Sequence, residues 1–132
     1  MGHKVNPTAY RTGVNKGWSS LWYAPKEQFA DYLHEDLKVR AFVNKKLVNA
    51  GVAEVKIKRS MNKVMVEIKV ARPGIVIGRG GAGIEELKLN LKKMIKGDVD
   101  LKIFEVKKPE ASAKLIADNI KAQLERRIVP KY

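Results

Sequence analysis

Residues 71–88, "ARPGIVIGRGGAGIEELK", hold two overlapping glycine patterns. Gly78, Gly80 and Gly83 are spaced G-x-G-x-x-G, which cradles a dinucleotide pyrophosphate when a strand runs straight into it and a helix follows. Gly78-Arg79-Gly80-Gly81 is also a G-x-x-G, which can clamp an RNA backbone. The flanking sequence decides between the two.

Upstream, residues 52–59 and 63–71 alternate. Ala53, Val55 and Ile57 oppose Glu54, Lys56 and Lys58, and Val64, Val66, Ile68 and Val70 oppose Lys63, Glu67 and Lys69. Period two with one polar face predicts an antiparallel pair joined around Ser60-Met61-Asn62, with a strongly basic outer face. Pro73-Gly74 ends the second strand, and the three residues "IVI" fit one turn of helix. After the glycines, Ile84, Leu87, Leu91 and Ile95 keep helical spacing beside Met94, with Gly97 as cap. Val99, Leu101 and Ile103 alternate as a third strand, where Phe104 breaks the pattern as a bulge would.

No strand therefore enters the glycine loop. The acid that would hold a ribose belongs about 20 residues on, at the end of the next strand. Asp98 and Asp100 have that separation but open the strand, and Glu105 near its end is further off. The dinucleotide enzyme is the weakest of the readings. The RNA reading asks for two helices meeting at a tight turn. Gly78 and Gly81 let the backbone lie against phosphates without a Cβ. Open N–H groups at the start of the second helix favour anions, and Arg72 and Arg79 add charge.

Composition agrees with a polyanionic partner. Lys and Arg number 27 against 14 Asp and Glu, a net charge of +13 in 132 residues, which points to nucleic acid ahead of an anionic membrane. With hydrophobic residues at 45% a packed core is expected. The absence of cysteine rules out disulfides, a thiolate nucleophile and a Cys-based zinc site. His3 and His34 suggest no metal, and no cofactor is expected. No stretch resembles a signal peptide or a membrane span, so an intracellular protein is expected.

The ends extend this frame. Residues 1–25 form an irregular basic arm with Lys4, Arg11 and Lys16, no acid, and breaks at Gly2, Pro7, Gly13, Gly17 and Pro25. Trp18 and Trp22 are expected to staple it to the core, while Tyr10 and the cations face RNA. Residues 26–50 read as a helix with an inner stripe of Phe29, Leu33, Leu37, Phe42, Val43 and Leu47, widened by Tyr32 and Val39 and capped by Gly51. A last amphipathic helix starts at Pro109-Glu110, runs through Ala113, Ile116 or Ala117, Ile120, Leu124 and Ile128, and stops at Pro130. The order is arm, α, β, β, short α, glycine loop, α, β, α.

"ARPGIVIGRGGAGIEELK" resembles the type II KH signature of the bacterial-type small-subunit ribosomal protein of the S-three family. "MGHKVNPTAYRTG" and "WSSLWYA" are similar to that family's N-terminal arm, and "KKPEASAKLIADNIKAQLERR" to the helix leading out of its KH domain. The resemblance covers essentially the whole chain. It implies an α+β fold, a type II KH domain (α-β-β-α-α-β) with a three-stranded sheet packed by helices, spanning residues 26–108 between the arm and an extra C-terminal helix over 109–132. It further implies a non-catalytic constituent of the cytoplasmic or an organelle's small ribosomal subunit. Such a protein binds ribosomal RNA in the head beside other head proteins, near where messenger RNA enters. Two departures stand out. The family's loop usually carries two basic residues where this one has Arg79 and Gly80. The family also continues into a second α/β domain, linked to unwinding of messenger RNA, which is not in this sequence.

The candidate RNA-binding residues are Lys4, Arg11 and Lys16 in the arm, Arg72, Gly78, Arg79, Gly80 and Gly81 at the loop, Lys88 on the following helix, and Arg126 and Arg127 beyond it. A free-standing KH module working outside ribosomes is the second reading, and a minimal KH module would need neither the arm nor the "LERR" helix.

Overall fold

The computed structural model describes residues 2–127. The expected Ile128 and Pro130 at the end of the last helix lie outside the described residues. The elements are α1 (Pro7–Tyr10), β1 (Ser20–Leu21), α2 (Lys26–Lys46), β2 (Val52–Ser60), β3 (Lys63–Val70), α3 (Pro73–Ile77), α4 (Ala82–Met94), β4 (Asp98–Glu105) and α5 (Ala113–Glu125). The expected order is observed, including the short helix before the glycines. Single 3-10 turns occupy Val48–Ala50, Arg79–Gly81 and Pro109–Ala111, so Pro109-Glu110 forms a separate turn ahead of α5. No helix among the described residues is long and apolar enough to cross a membrane.

The sheet has four strands in the order β1-β2-β3-β4. β2 and β3 form the expected antiparallel hairpin, while β3 and β4 run parallel. The fourth strand comes from the arm: Ser20 and Leu21 pair in parallel with Ile57 and Lys58. The arm is thus not irregular throughout, and the three-stranded expectation is corrected. Two residues give too short an alternation to register as a strand in sequence.

Val39 and Val43 of α2 with Leu47 just past its end, the inward residues of β2 and β3, and Leu87, Leu91 and Ile95 at α4 form one core. In β2 the buried residues are Val52, Val55 and Ile57 rather than Ala53, Val55 and Ile57. The register shifts between Val52 and Glu54, and this bulge turns Val52 inward and leaves Ala53 half-buried. No bulge occurs at Phe104, which pairs in register with Lys69 on the outer face. Gly97 does not cap α4: the helix ends at Met94, Ile95 is already extended, and Gly97 turns the chain against Asn62.

Two amphipathic expectations are rotated. In α2 the inward face is Tyr32, Asp36, Val39 and Val43, continued by Leu47 just past its end, while Phe29, Leu33 and Leu37 stay exposed. In α5, Leu115 reaches the domain beside Gly51, and Ile116, Ile120 and Leu124 face away from it.

The outer sheet face is less basic than its lysines suggested. Cross-strand rows read Glu54–Lys69–Phe104, Lys56–Glu67–Lys102 and Lys58–Met65–Asp100. Lys58 lies 3.3 Å from Glu67, Lys69 3.4 Å from Glu54, and Lys63 3.8 Å from Asp100. Such exposed pairs add little stability, but they offset most of the face's positive charge.

Candidate nucleic-acid interface

The glycine loop joins α3 to α4, and each glycine has its own task. Gly78 ends α3 at φ 70°, ψ −174°, a conformation essentially closed to residues with a Cβ. Gly83 lies in the first turn of α4, where a Cβ would overlap the carbonyl oxygen of Val76 and stand 3.0 Å from that of Ile77. These two glycines allow the helices to cross closely. Gly80 (φ 63°) and Gly81 (φ 77°) are left-handed, and a Cβ on either would meet nothing within 4 Å. The tip of the loop is therefore open space bordered by bare backbone, with Arg79 exposed between. No side chain caps α4 at Gly81, and of the first-turn N–H groups that of Ala82 already donates to the Arg79 carbonyl oxygen, so any anion at this end would be met by the groups after it.

A dinucleotide site requires a strand running into the glycines. Here a helix runs into them, so the G-x-G-x-x-G spacing has no pyrophosphate cradle. The KH domain family profile matches residues 38–111, more than half of the chain. The chain belongs to the KH domain family.

The KH match sits inside a longer likeness. The chain is 52% identical over 128 residues to the "Small ribosomal subunit protein uS3" of Pelagibacter ubique, covering 97% of this chain and 57% of that protein. The protein of the same name from Gluconobacter oxydans is 53% identical over 128 residues, 97% of this chain and 56% of the relative. That from Acetivibrio thermocellus is 47% identical over 127 residues, at 96% and 56%. The resemblance to the S-three family is thereby shown along the arm, the KH domain and the helix after it. The chain spans a little over half the length of the curated relatives it matches.

Around this KH fold the expected site residues fall in four places. Gly78, Arg79, Gly80 and Gly81 gather at the loop. Arg72 does not join them. It stands at the other end of α3, with its Nη1 3.5 Å from the carbonyl oxygen of Asn49. There it borders a cleft of about 640 Å³ between α5 and the domain, which Arg126 also lines. Arg127 is exposed just past the end of α5. Lys88 is likewise apart: it is half-buried on α4 and lines a hollow with Lys63, Lys92, Asp98 and Asp100. Two carboxylates there answer the three ammonium groups, so Lys88 adds little to the charge at the loop.

Lys4, Arg11 and Lys16 form the fourth place, on a part of the arm that has its own local structure. Asn6 Oδ1 accepts from the N–H groups of Thr8 and Ala9 at 3.0 and 3.2 Å, capping α1. The Arg11 carbonyl then accepts from the N–H groups of Val14, Asn15 and Lys16, which winds a tight loop and brings Lys16 back toward Arg11. Tyr10 is exposed as expected. Trp18 is also exposed, at 63%, so it does not staple the arm.

Trp22 does, and its partners are residues the sequence reading missed. Asp36 is 2% exposed. Its Oδ2 accepts from Trp22 Nε1–H at 2.6 Å, and its Oδ1 accepts from Arg59 Nη2 at 2.7 Å and Nε at 3.2 Å. The Arg59 guanidinium lies 4.6 Å over the Tyr32 ring, and Trp22 meets Tyr32 edge-on at 5.8 Å. Glu35 Oε2 is 3.1 Å from Arg59 Nη2, without hydrogen-bonding geometry. Arg40 makes a second tie, donating to the carbonyl oxygens of Val55 (2.6 Å) and Ser19 (2.9 Å) and to Ser20 Oγ (2.7 Å). A signal existed: Asp36 stands four residues after Tyr32 and three before Val39, an acid on the core stripe, which demands a buried partner.

Proposed function

We propose that this chain binds small-subunit ribosomal RNA as a non-catalytic constituent of the small ribosomal subunit, gripping phosphates with the glycine loop and the arm. The observation that carries this reading is the open, left-handed Gly80-Gly81 tip between two crossed helices, in a chain about half identical along its length to small-subunit proteins. Lys4, Arg11, Lys16, Arg79 and the loop backbone supply the main contacts, and Arg72 with Arg126 and Arg127 form a second group near α5. Lys88 is a minor contributor. We further propose the three-part organisation read from the sequence: arm 1–25, KH domain 26–108, and outgoing helix 109–132. The S-three resemblance supports a place in the subunit head beside other head proteins, near where messenger RNA enters, in the cytoplasm or an organelle.

Phosphate contacts carry most affinity in such binding, and shape carries selectivity. Binding to ribosomal RNA is expected to weaken with salt, log K falling by about 0.7 to 0.9 per decade for each phosphate neutralised. A flat salt dependence contradicts the mechanism.

Gly80→Asp with Gly81→Asp tests the loop. Both positions are left-handed with free space around the missing Cβ, and Asp tolerates that conformation better than most residues. The fold should survive, while two carboxylates at the tip repel phosphates and cut RNA affinity by about tenfold or more. A folded variant that binds as tightly as the parent makes the loop purely structural. Sedimentation of the tagged protein separates the ribosomal reading from a free-standing KH module: a protein that never co-migrates with small subunits is not ribosomal.

A further inference from the structure

The arm has two mechanically different parts. Residues 2–18 include α1 and the Arg11 loop, and their side chains are exposed apart from half-buried Thr12. Their hydrogen bonds run within the arm, as in Thr12 Oγ1 to the Thr8 carbonyl at 2.9 Å and Arg11 Nη1 to the Pro7 carbonyl at 3.1 Å. Residues 19–24 are a stem joined to the KH domain along their length. Ile57 N–H donates to the Ser19 carbonyl at 3.0 Å, Arg40 holds Ser19 and Ser20, Trp22 is held by Asp36, and Ala24 is buried.

Holding two residues of strand does not require this much. A parallel pairing of Ser20 and Leu21 leaves the stem free to pivot. The ties sit on either side of that pairing and fix both position and twist. Arg40 reaches three oxygens at once from the two nitrogens of its rigid fork, Nη1 on Val55 and Nη2 on Ser19 and Ser20. Asp36 takes one donor from the arm and two from β2, so the Trp22 ring is locked relative to the sheet. Arg40, Asp36 and Trp22 thus fix the stem from which the outer arm, with Lys4, Arg11 and Lys16, extends.

We propose that Arg40, Asp36 and Trp22 are positioning residues for RNA binding: without contacting RNA themselves, they clamp the stem so that the arm cations and the loop engage one RNA together. The proposal rests on the reading that the arm and loop both contact RNA. Preset geometry lets the second contact form at high effective concentration, whereas a swinging arm loses that advantage.

The test uses the full chain, a fragment of small-subunit ribosomal RNA, and affinities over a series of salt concentrations. The clamp variant carries Ser20→Ala and Trp22→Phe, which removes two hydrogen bonds and no charge. The arm variant carries Lys4→Ala, Arg11→Ala and Lys16→Ala, and a third protein combines both sets. The arm variant should bind more weakly, with its salt slope smaller by about 2. The clamp variant should also lose several-fold in affinity and part of that slope, although its charge is unchanged. A role confined to stability would leave the slope of the folded protein as it was. The combined protein should be no weaker than the arm variant alone. Parent-like affinity and slope in the clamp variant, or losses that add in the combined protein, overturn the proposal. Parent-like binding by the arm variant overturns the arm-contact reading and the clamp with it. If the clamp variant does not fold, Arg40→Lys serves in its place, since it keeps the charge but loses the two-nitrogen fork that spans the Val55 and Ser19 carbonyls.

Discussion

Asp36→Ala should cost about 3 kcal/mol of unfolding free energy in urea titration, out of the 5–15 kcal/mol typical of a domain. The substitution removes a carboxylate that is almost fully buried and leaves Arg59, itself little exposed, without its closest counter-charge. Losing one partner of a buried pair costs about 3–5 kcal/mol because the other charge stays desolvated. Glu35 lies 3.1 Å from the same guanidinium and compensates in part, which places the expectation at the lower end. Trp22 Nε1–H also loses its acceptor. Asp36→Asn gives the internal comparison, since an amide oxygen can still accept from one donor, and its loss should be clearly smaller. Equal losses for Ala and Asn would mean that the negative charge, and not the hydrogen-bond acceptor, is what Asp36 contributes. A loss below 1 kcal/mol for Ala would mean that water reaches Arg59.

Gly83→Ala should destabilise by about 2 kcal/mol, against the sign that helix propensity alone predicts. Alanine in place of glycine inside a helix is worth close to 1 kcal/mol in its favour. Here the new methyl would overlap the Val76 carbonyl oxygen and stand 3.0 and 3.2 Å from the oxygen and carbon of Ile77. These are backbone atoms of α3, so relief requires moving a helix, and overpacking of this kind costs about 1–3 kcal/mol and occasionally more. Separating α3 from α4 also shifts Gly78 to Gly81, so RNA affinity should fall along with stability. Gly74→Ala is the control, because a Cβ there meets nothing within 4 Å. A Gly83→Ala protein more stable than the parent would show that the crossing of α3 and α4 is looser than its geometry states.

Much of this architecture was legible from local rules. Alternation in residues 52–59 and 63–71 marked the hairpin, and Pro73-Gly74 separated the glycines from any strand and so removed the dinucleotide reading. What escaped depended on partners far along the chain. Phe29, Leu33 and Leu37 make a convincing apolar stripe, yet α2 is rotated so that Asp36 faces inward. That acid is accommodated only because Arg59 and Trp22 arrive from 23 and 14 residues away. The bulge at Ala53 follows from pairing with β3 and has no signature of its own. Site residues were harder still. Arg72 and Lys88 are close to the glycines in sequence, but α3 and α4 carry them away from the tip, because a helix advances about 1.5 Å per residue.

The nearly balanced charges of the outer sheet face bear on how the molecule would meet a polyanion. With lysines and carboxylates interspersed across β2, β3 and β4, that face keeps little net charge, and most of the chain's excess of +13 lies elsewhere, at the arm, the loop, the end of α4 and the pair Arg126 and Arg127 among other places. A charge distribution of this kind exerts torque as well as attraction, since the rim is drawn inward while the flat face is not. On the proposed reading, the protein would approach RNA edge-on, already turned toward the arm and the loop. Its broad face would then hold nonspecific RNA less tightly than the rim, leaving less to be shed when the proposed contacts form.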